Sequence, residues 1–199
     1  MKTLYALLFV LLPSAFIGIT GTAQATEWIL DPSHTAAQFS VKHLMVSTVR
    51  GQFQTVSGTI TIDDKDITRS TLDVTIDANS INTREPKRDA HLRSPDFFDV
   101  TKFPTLTFKS TKVEKSDAKL LVTGDLTIRG ISKPITLTVE GPTGPQKDPW
   151  GNTARGVTAT GKLNRKDFGL NWNKALEAGG VLVGDEVQLV IDAELRLKK

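Results

Sequence analysis

From residue 26 to the C-terminus the chain alternates between apolar and polar positions. The alternation is clean through Leu72-Asp73-Val74-Thr75-Ile76-Asp77-Ala78, around Leu106 and Phe108, through Ile135, Leu137 and Val139, and over the long final run Val187, Leu189, Ile191, Ala193, Leu195 and Leu197. Successive side chains of a strand point to opposite faces, so each run predicts a β-strand with one buried face. Residues 27–31 predict a short strand stopped by Pro32. Residues 35–44 predict a strand that places Ala37, Phe39, Val41 and His43 on one face. Residues 47–51 read as a break, with Gly51 allowing a bend or bulge, and residues 53–62 as the next strand. Two more strands follow over 120–128 and around Val157, Ala159 and Leu163; Trp150, in a loop at 141–152, is a candidate cap for a barrel end. About eight strands with tight turns suggest a β-sandwich or a closed barrel. The long last strand favours a barrel, which hides its edge. An antiparallel barrel of about eight strands can hold one small ligand.

One stretch departs from the alternation, a short helical insert around residues 84–100. From Arg88 to Pro104 it gathers Arg88, Arg93, His91, Asp89, Asp96, Asp99, Phe97, Phe98 and Phe103. A helix ending near Leu92 is predicted first. Ser94-Pro95 then reads as a second helix start, with Ser94 as N-cap and Pro95 in the first turn, and Pro104 opens the next strand. A charged, aromatic insert is where a β scaffold keeps its specificity. The plainer account is a surface loop whose phenylalanines plug the core, with Arg88-Asp89 as a local ion pair.

Composition narrows the picture. Residues 1–25 read as a secretory signal peptide: Lys2, an apolar run over 4–19, and Ala23-Gln24-Ala25 as cleavage site, leaving one domain over 26–199. The chain has no cysteine, which excludes disulfides, thiol catalysis and thiolate metal sites. A formal net charge of +3 over interspersed acids and bases argues against a nucleic-acid partner. The chain carries neither a nucleophile elbow nor a zinc-helix motif. Asp63-Asp64-Lys65-Asp66 matches half of a calcium loop but lacks its glycine and terminal glutamate. Three histidines, His34, His43 and His91, leave a metal-dependent hydrolase as an alternative, and a ligand-free stress or scaffold protein as another.

Several spaced motifs then point one way. Asp31-Pro32-Ser33-His34 precedes Phe39-Ser40-Val41-Lys42-His43 and Val49-Arg50-Gly51-Gln52-Phe53. Ser80-Ile81-Asn82-Thr83 precedes Arg88-Asp89-Ala90-His91-Leu92-Arg93-Ser94-Pro95-Asp96-Phe97-Phe98-Asp99. Gly124-Asp125-Leu126-Thr127-Ile128-Arg129-Gly130 and Asp167-Phe168-Gly169-Leu170 complete the series. In this order they resemble the YceI-like family of exported, lipocalin-like polyisoprenoid-binding proteins, over essentially all of residues 26–199. The resemblance implies an all-β, extended antiparallel eight-stranded lipocalin-like barrel in the periplasm. It implies a non-enzymatic binder or carrier without a cofactor or metal, whose ligand is a long-chain isoprenoid lipid, a polyprenyl phosphate or a quinone-like molecule. Phe39, Val41, Phe97, Phe98 and Phe108 are then the candidates to line the lumen, with Phe103 near the throat. Arg88, Arg93, His43 and His91 are the candidates to meet the head group. Transient membrane contact and a homodimer are the further partnerships such a barrel allows.

Overall fold

The structure, a computed structural model, describes residues 25–176 and 179–199. The expected leader falls outside them except for Ala25. The described strands are β1 (Thr26–Leu30), β2 (Ala36–His43), β3 (Ser47–Phe53), β4 (Val56–Ile62), β5 (Thr71–Asp77), β6 (Ile81–Asn82), β7 (Thr105–Ser116), β8 (Lys119–Ile128), β9 (Ile131–Glu140), β10 (Gln146–Lys147), β11 (Thr153–Asn164) and β12 (Val183–Leu197); α1 spans Pro86–Arg93. All pairings are antiparallel, and eight strands close a ring in the order β11-β9-β8-β7-β5-β4-β1-β12, with β12 returning to β11.

The ring closes through β12. One edge pairs with β11 from Glu186 opposite Asn164 to Arg196 opposite Ala154. The other edge serves two strands in succession: β1 opposite Leu195 to Leu197, and β2 from Asp192 opposite Ala36 to Val183 opposite His43. β3 and β6 extend that arm beyond the ring. The two strands hand over at a corner built on Asp31, whose side chain is 3 % exposed. Its carboxylate accepts the Ser33 amide at 2.9 Å and His34 Nδ1 at 2.7 Å, and pairs with Arg196 Nη2 at 2.6 Å. Burial alone would push the Asp31 carboxyl up. The His34 and Ser33 hydrogen bonds and the Arg196 charge outweigh it, and hold the carboxyl below its usual range. His34 is raised in turn by its hydrogen bond to Asp31 and by the charges of Asp31 and Glu194.

Three local expectations need correction. The first is the boundary at residues 47–53. Ser47–Phe53 is a strand, and the chain reverses earlier, at Leu44–Val46, where Leu44 (φ 54°) and Met45 (φ 61°) take left-handed backbone conformations. No glycine or asparagine marks that turn, so the sequence carries no signal for it. Gly51 lies inside β3 for a different reason. A Cβ there would stand 2.5 Å from Phe39 Cζ and 2.7 Å from Thr83 Cγ2, so the residue permits a close approach rather than a bulge.

The second is the helix. α1 starts at Pro86 with Glu85 as N-cap, its carboxylate accepting the Lys87 amide at 3.0 Å, and Ser94 ends it. The Ser94 amide and hydroxyl both donate backward to the His91 carbonyl, at 3.1 and 2.7 Å. The residue before a proline is driven out of helical geometry, and Ser94 obeys with φ −70° and ψ 171°. Turns rather than a second helix fill residues 95–103. The third is Trp150, which is 82 % exposed and caps nothing. The Asp148 carboxylate fixes its turn by accepting the amides of Trp150 (2.9 Å) and Asn152 (2.8 Å).

Candidate ligand-binding lumen

The inward faces of the strands enclose a cavity of about 270 Å³. Among the described residues that line it, only Gln38, Ser70 and Arg165 are polar, and Gln38, in phase with Ser40 and Lys42, is exposed. The rest are aliphatic or phenyl groups such as Ile60, Leu106, Phe108, Leu126 and Leu189, delivered by the alternation within each strand. The polar three are already committed. Gln38 Nε2 donates to Asp192 at 3.3 Å, and the Ser70 hydroxyl receives the Asp63 amide at 3.1 Å.

Arg165 is 3 % exposed and its donors are all occupied. Nε reaches the Gly184 carbonyl at 2.9 Å. Nη1 reaches the carbonyls of Leu170 and of Trp172, the latter at 3.0 Å. Nη2 reaches the Val183 carbonyl at 3.4 Å and Asp185 Oδ1 at 3.3 Å. Burial lowers its pKa and the Asp185 charge opposes the shift. The guanidinium thus fastens the segment after β11 to the start of β12, and the cavity meets a residue with no donor to spare.

The insert roofs this lumen. Leu92, Phe97 and Phe98 face the cavity from it. Phe98 stands edge-on to Phe53 with centroids 5.5 Å apart, and Phe97 leans on Trp172 at 5.3 Å. Asp89, Arg88 and Arg93 of the insert are turned onto the strip of residues 79–83 just before it. Asp89, 8 % exposed, accepts the Thr83 amide at 2.8 Å and the Thr83 hydroxyl at 2.5 Å. Arg88 donates to Thr83 through Nε (2.8 Å to Oγ1) and Nη2 (2.9 Å to the carbonyl). Arg93 forks onto the carbonyls of Asn79 (2.9 Å) and Ile81 (2.6 Å), and Arg129 donates to the Phe97 carbonyl at 2.6 Å. The Ser80-Ile81-Asn82-Thr83 motif is therefore the anchor strip to which the helix is tied.

Of the candidates from the sequence, Phe39, Val41, Phe97, Phe98 and Phe108 line the cavity together. Arg88, His43 and His91 do not reach it. His91 donates to or accepts from Asp96 at 2.9 Å and packs edge-on against Phe97 and Trp172. Phe103 lies outside it too, beneath Lys102 at 5.2 Å. The expected Arg88–Asp89 pair resolves into two separate grips on Thr83. Trp172 packs against the core, as its sequence reading as core or edge packing expects; missed from the sequence was Arg165, whose burial leaves no trace in periodicity.

The histidines do not assemble one metal centre. His34 precedes β2 and His43 ends it, so an extended strand of about 23 Å separates them. Asp31, His34 and Glu194 do bring ligand atoms within 4.8 Å of one another, but the Arg196 guanidinium already occupies that corner. The calcium-like loop is likewise spent: Asp63 accepts the amides of Lys65 and Asp66, both at 3.0 Å, and Asp64 pairs with Arg155 at 2.8 Å.

A closed antiparallel barrel with a dry, hydrocarbon-lined interior and a helical roof defines a class of protein, the lipocalin-like binding barrels. Within that class the chain belongs to the YceI-like family, whose domain model matches residues 28–195. It is 40 % identical over 177 residues to Protein YceI of Salmonella newport (strain SL254), covering 88 % of this chain and 89 % of that one. Among solved structures it is similar to the Campylobacter jejuni YCEI protein, with a TM-score of 0.67, 36 % identity, and coverage of 79 % of this chain and 90 % of that one. BcnA of Burkholderia cenocepacia shares the fold at a TM-score of 0.70 and 20 % identity, over 83 % of this chain and 98 % of that one. So does a polyisoprenoid binding domain from Saccharophagus degradans implicated in plant cell wall breakdown, at a TM-score of 0.60 and 16 % identity, over 87 % of this chain and 99 % of that one.

Proposed function

We propose that the protein is a non-enzymatic carrier or store for a long-chain isoprenoid lipid, working in the periplasm after loss of its leader, with the tail in the barrel lumen. The observation that carries this reading is the lumen itself: about 270 Å³ walled by Phe39, Phe98, Phe108 and aliphatic side chains, with its few polar groups already partnered. Such a wall offers a tail roughly 25 cal/mol for each Å² buried and nothing to a polar chain. Membership of the YceI-like family and the likeness to a polyisoprenoid binding domain support the same class of ligand. Arg88 and Arg93 of the insert and Arg129 of the β8–β9 turn are spent on Thr83, Asn79, Ile81 and Phe97, so these three guanidinium forks do not await a pyrophosphate.

Native mass spectrometry of the protein purified from its own host, with organic extraction of what it carries, tests this. A near-stoichiometric isoprenoid is expected. A protein that arrives empty and takes up no isoprenoid overturns the reading. Phe98→Ala should weaken tail binding about tenfold through lost ring contact, whereas Lys109→Ala on the outer face should leave it unchanged. Equal effects of the two would remove Phe98 from the mouth.

A further inference from the structure

The β2–β3 turn exposes its apolar side chains. Leu44, Met45 and Val46 are 39, 60 and 82 % exposed, a contiguous apolar tip on an otherwise polar edge. The backbone that presents them is unusual as well. Leu44 and Met45 both hold left-handed φ angles, 54° and 61°, at positions where glycine or asparagine would sit without steric cost. Backbone of this kind persists only where the surrounding structure holds it, and it clusters at binding and switch regions.

The tip has cations beside it. Ser40 lies opposite Arg50 and Lys42 opposite Thr48, so Lys42 and Arg50 share the outer face of the hairpin. Both are exposed, and among the described residues neither carries an ion pair. The tip also stands at the lumen's end. Val41 and Val183 line the cavity, Val183 is opposite His43, and the Leu44 amide donates to the Leu182 carbonyl at 2.8 Å. Apolar side chains at the apex with cations on the flank match the interface of an anionic bilayer, where hydrocarbon groups enter the acyl boundary and Lys or Arg meet phosphates.

We propose that Leu44, Met45 and Val46 form a membrane-docking tip for anionic lipid surfaces, holding the roofed end of the barrel against the bilayer. That this contact serves to exchange lipid with the lumen rests on the carrier reading; the docking itself does not. The test is co-sedimentation of the purified protein with vesicles of about three parts phosphatidylcholine to one part phosphatidylglycerol, against phosphatidylcholine alone. The wild type should partition onto the anionic vesicles, less so as salt rises. Met45→Ser/Val46→Ser should lower partitioning about tenfold, and Lys42→Glu/Arg50→Glu by a similar factor. Both positions are solvent-facing, so an unchanged melting temperature and unchanged isoprenoid uptake should accompany the loss. Isoprenoid uptake without vesicle binding overturns the docking tip and leaves the carrier reading standing. Partitioning by the Met45/Val46 variant equal to wild type also overturns it. So does a wild-type dimer that the Met45/Val46 variant reduces to a monomer with vesicle binding unchanged, which would make the tip a contact between copies of the chain.

Discussion

The wall of the barrel and the insert that roofs it are held by opposite means. The wall is a backbone ladder, and its side chains have only to be apolar inside and polar outside, as the Thr123–Thr136 pair at 2.9 Å on the outer surface illustrates. The insert has almost no ladder. Side chains do the work that strand pairing does elsewhere: Asp89, Arg88 and Arg93 satisfy the amide and carbonyls of residues 79–83 one by one. A ladder tolerates substitution because each bond belongs to the backbone. A clamp of charged side chains does not, because deleting one partner strands another in a dry site.

The largest effect should come from Asp89→Ala. It leaves the buried Thr83 amide and hydroxyl without an acceptor and should cost about 3 kcal/mol in urea denaturation. Thr123→Val on the wall should change stability by less than about 0.5 kcal/mol. If both cost the same, the contrast between clamp and ladder fails. Next comes Gly51→Ala, placed where the two regions touch. The new methyl group meets Phe39 on the lumen side and Thr83 on the insert side. Because Phe39 Cζ is the movable neighbour, the ring should swing into the lumen, and isoprenoid affinity should fall about tenfold with a stability loss of about 1–2 kcal/mol. Full affinity with a large stability loss would assign Gly51 to the insert alone.

The smallest effect sits at the Asp31–His34 corner and depends on pH. His34 has a raised pKa in the fold, so its contribution is complete below the 6.5 of an unfolded histidine and is lost as pH climbs through the folded value. Asp31 is lowered, so its share is present above 3.8 and is lost as pH falls through its folded value. His34→Ala should therefore lower the denaturation midpoint more at pH 5 than at pH 8. A pH-independent loss would mean the corner is held by Arg196 and the Ser33 amide without help from the imidazole.

Most of the wall is legible in the sequence because burial on one face of a strand leaves a period of two, as in Leu72 to Ala78 and Val187 to Leu197. The lumen phenylalanines are legible for the same reason, since Phe39 and Phe108 sit in phase with aliphatic neighbours. What stays hidden is whatever depends on partners distant in sequence or on turns without turn residues. The reversal at Leu44–Val46 uses backbone angles that its residues disfavour. The true role of Arg88 and Arg93 depends on carbonyls five to fourteen residues away, and a charged fork looks alike whether it faces a ligand or its own chain. Ser94 misleads because a hydroxyl before a proline suits a helix start, and here it donates backward and ends one.

The way β12 serves β11, β1 and β2 at once has a kinetic consequence. β1 is made first, yet one of its two neighbours lies at the far end of the chain, opposite Leu195 to Leu197. Closing the ring means closing a loop of nearly the whole domain, the high-contact-order situation in which entropy is spent long before contacts return it. Until the fifteen residues of β12 arrive, the inward hydrocarbon faces of seven strands have no sealed interior. The unfinished barrel is thus the species most open to edge-to-edge aggregation, and the docking of its final strand is the step that ends the danger.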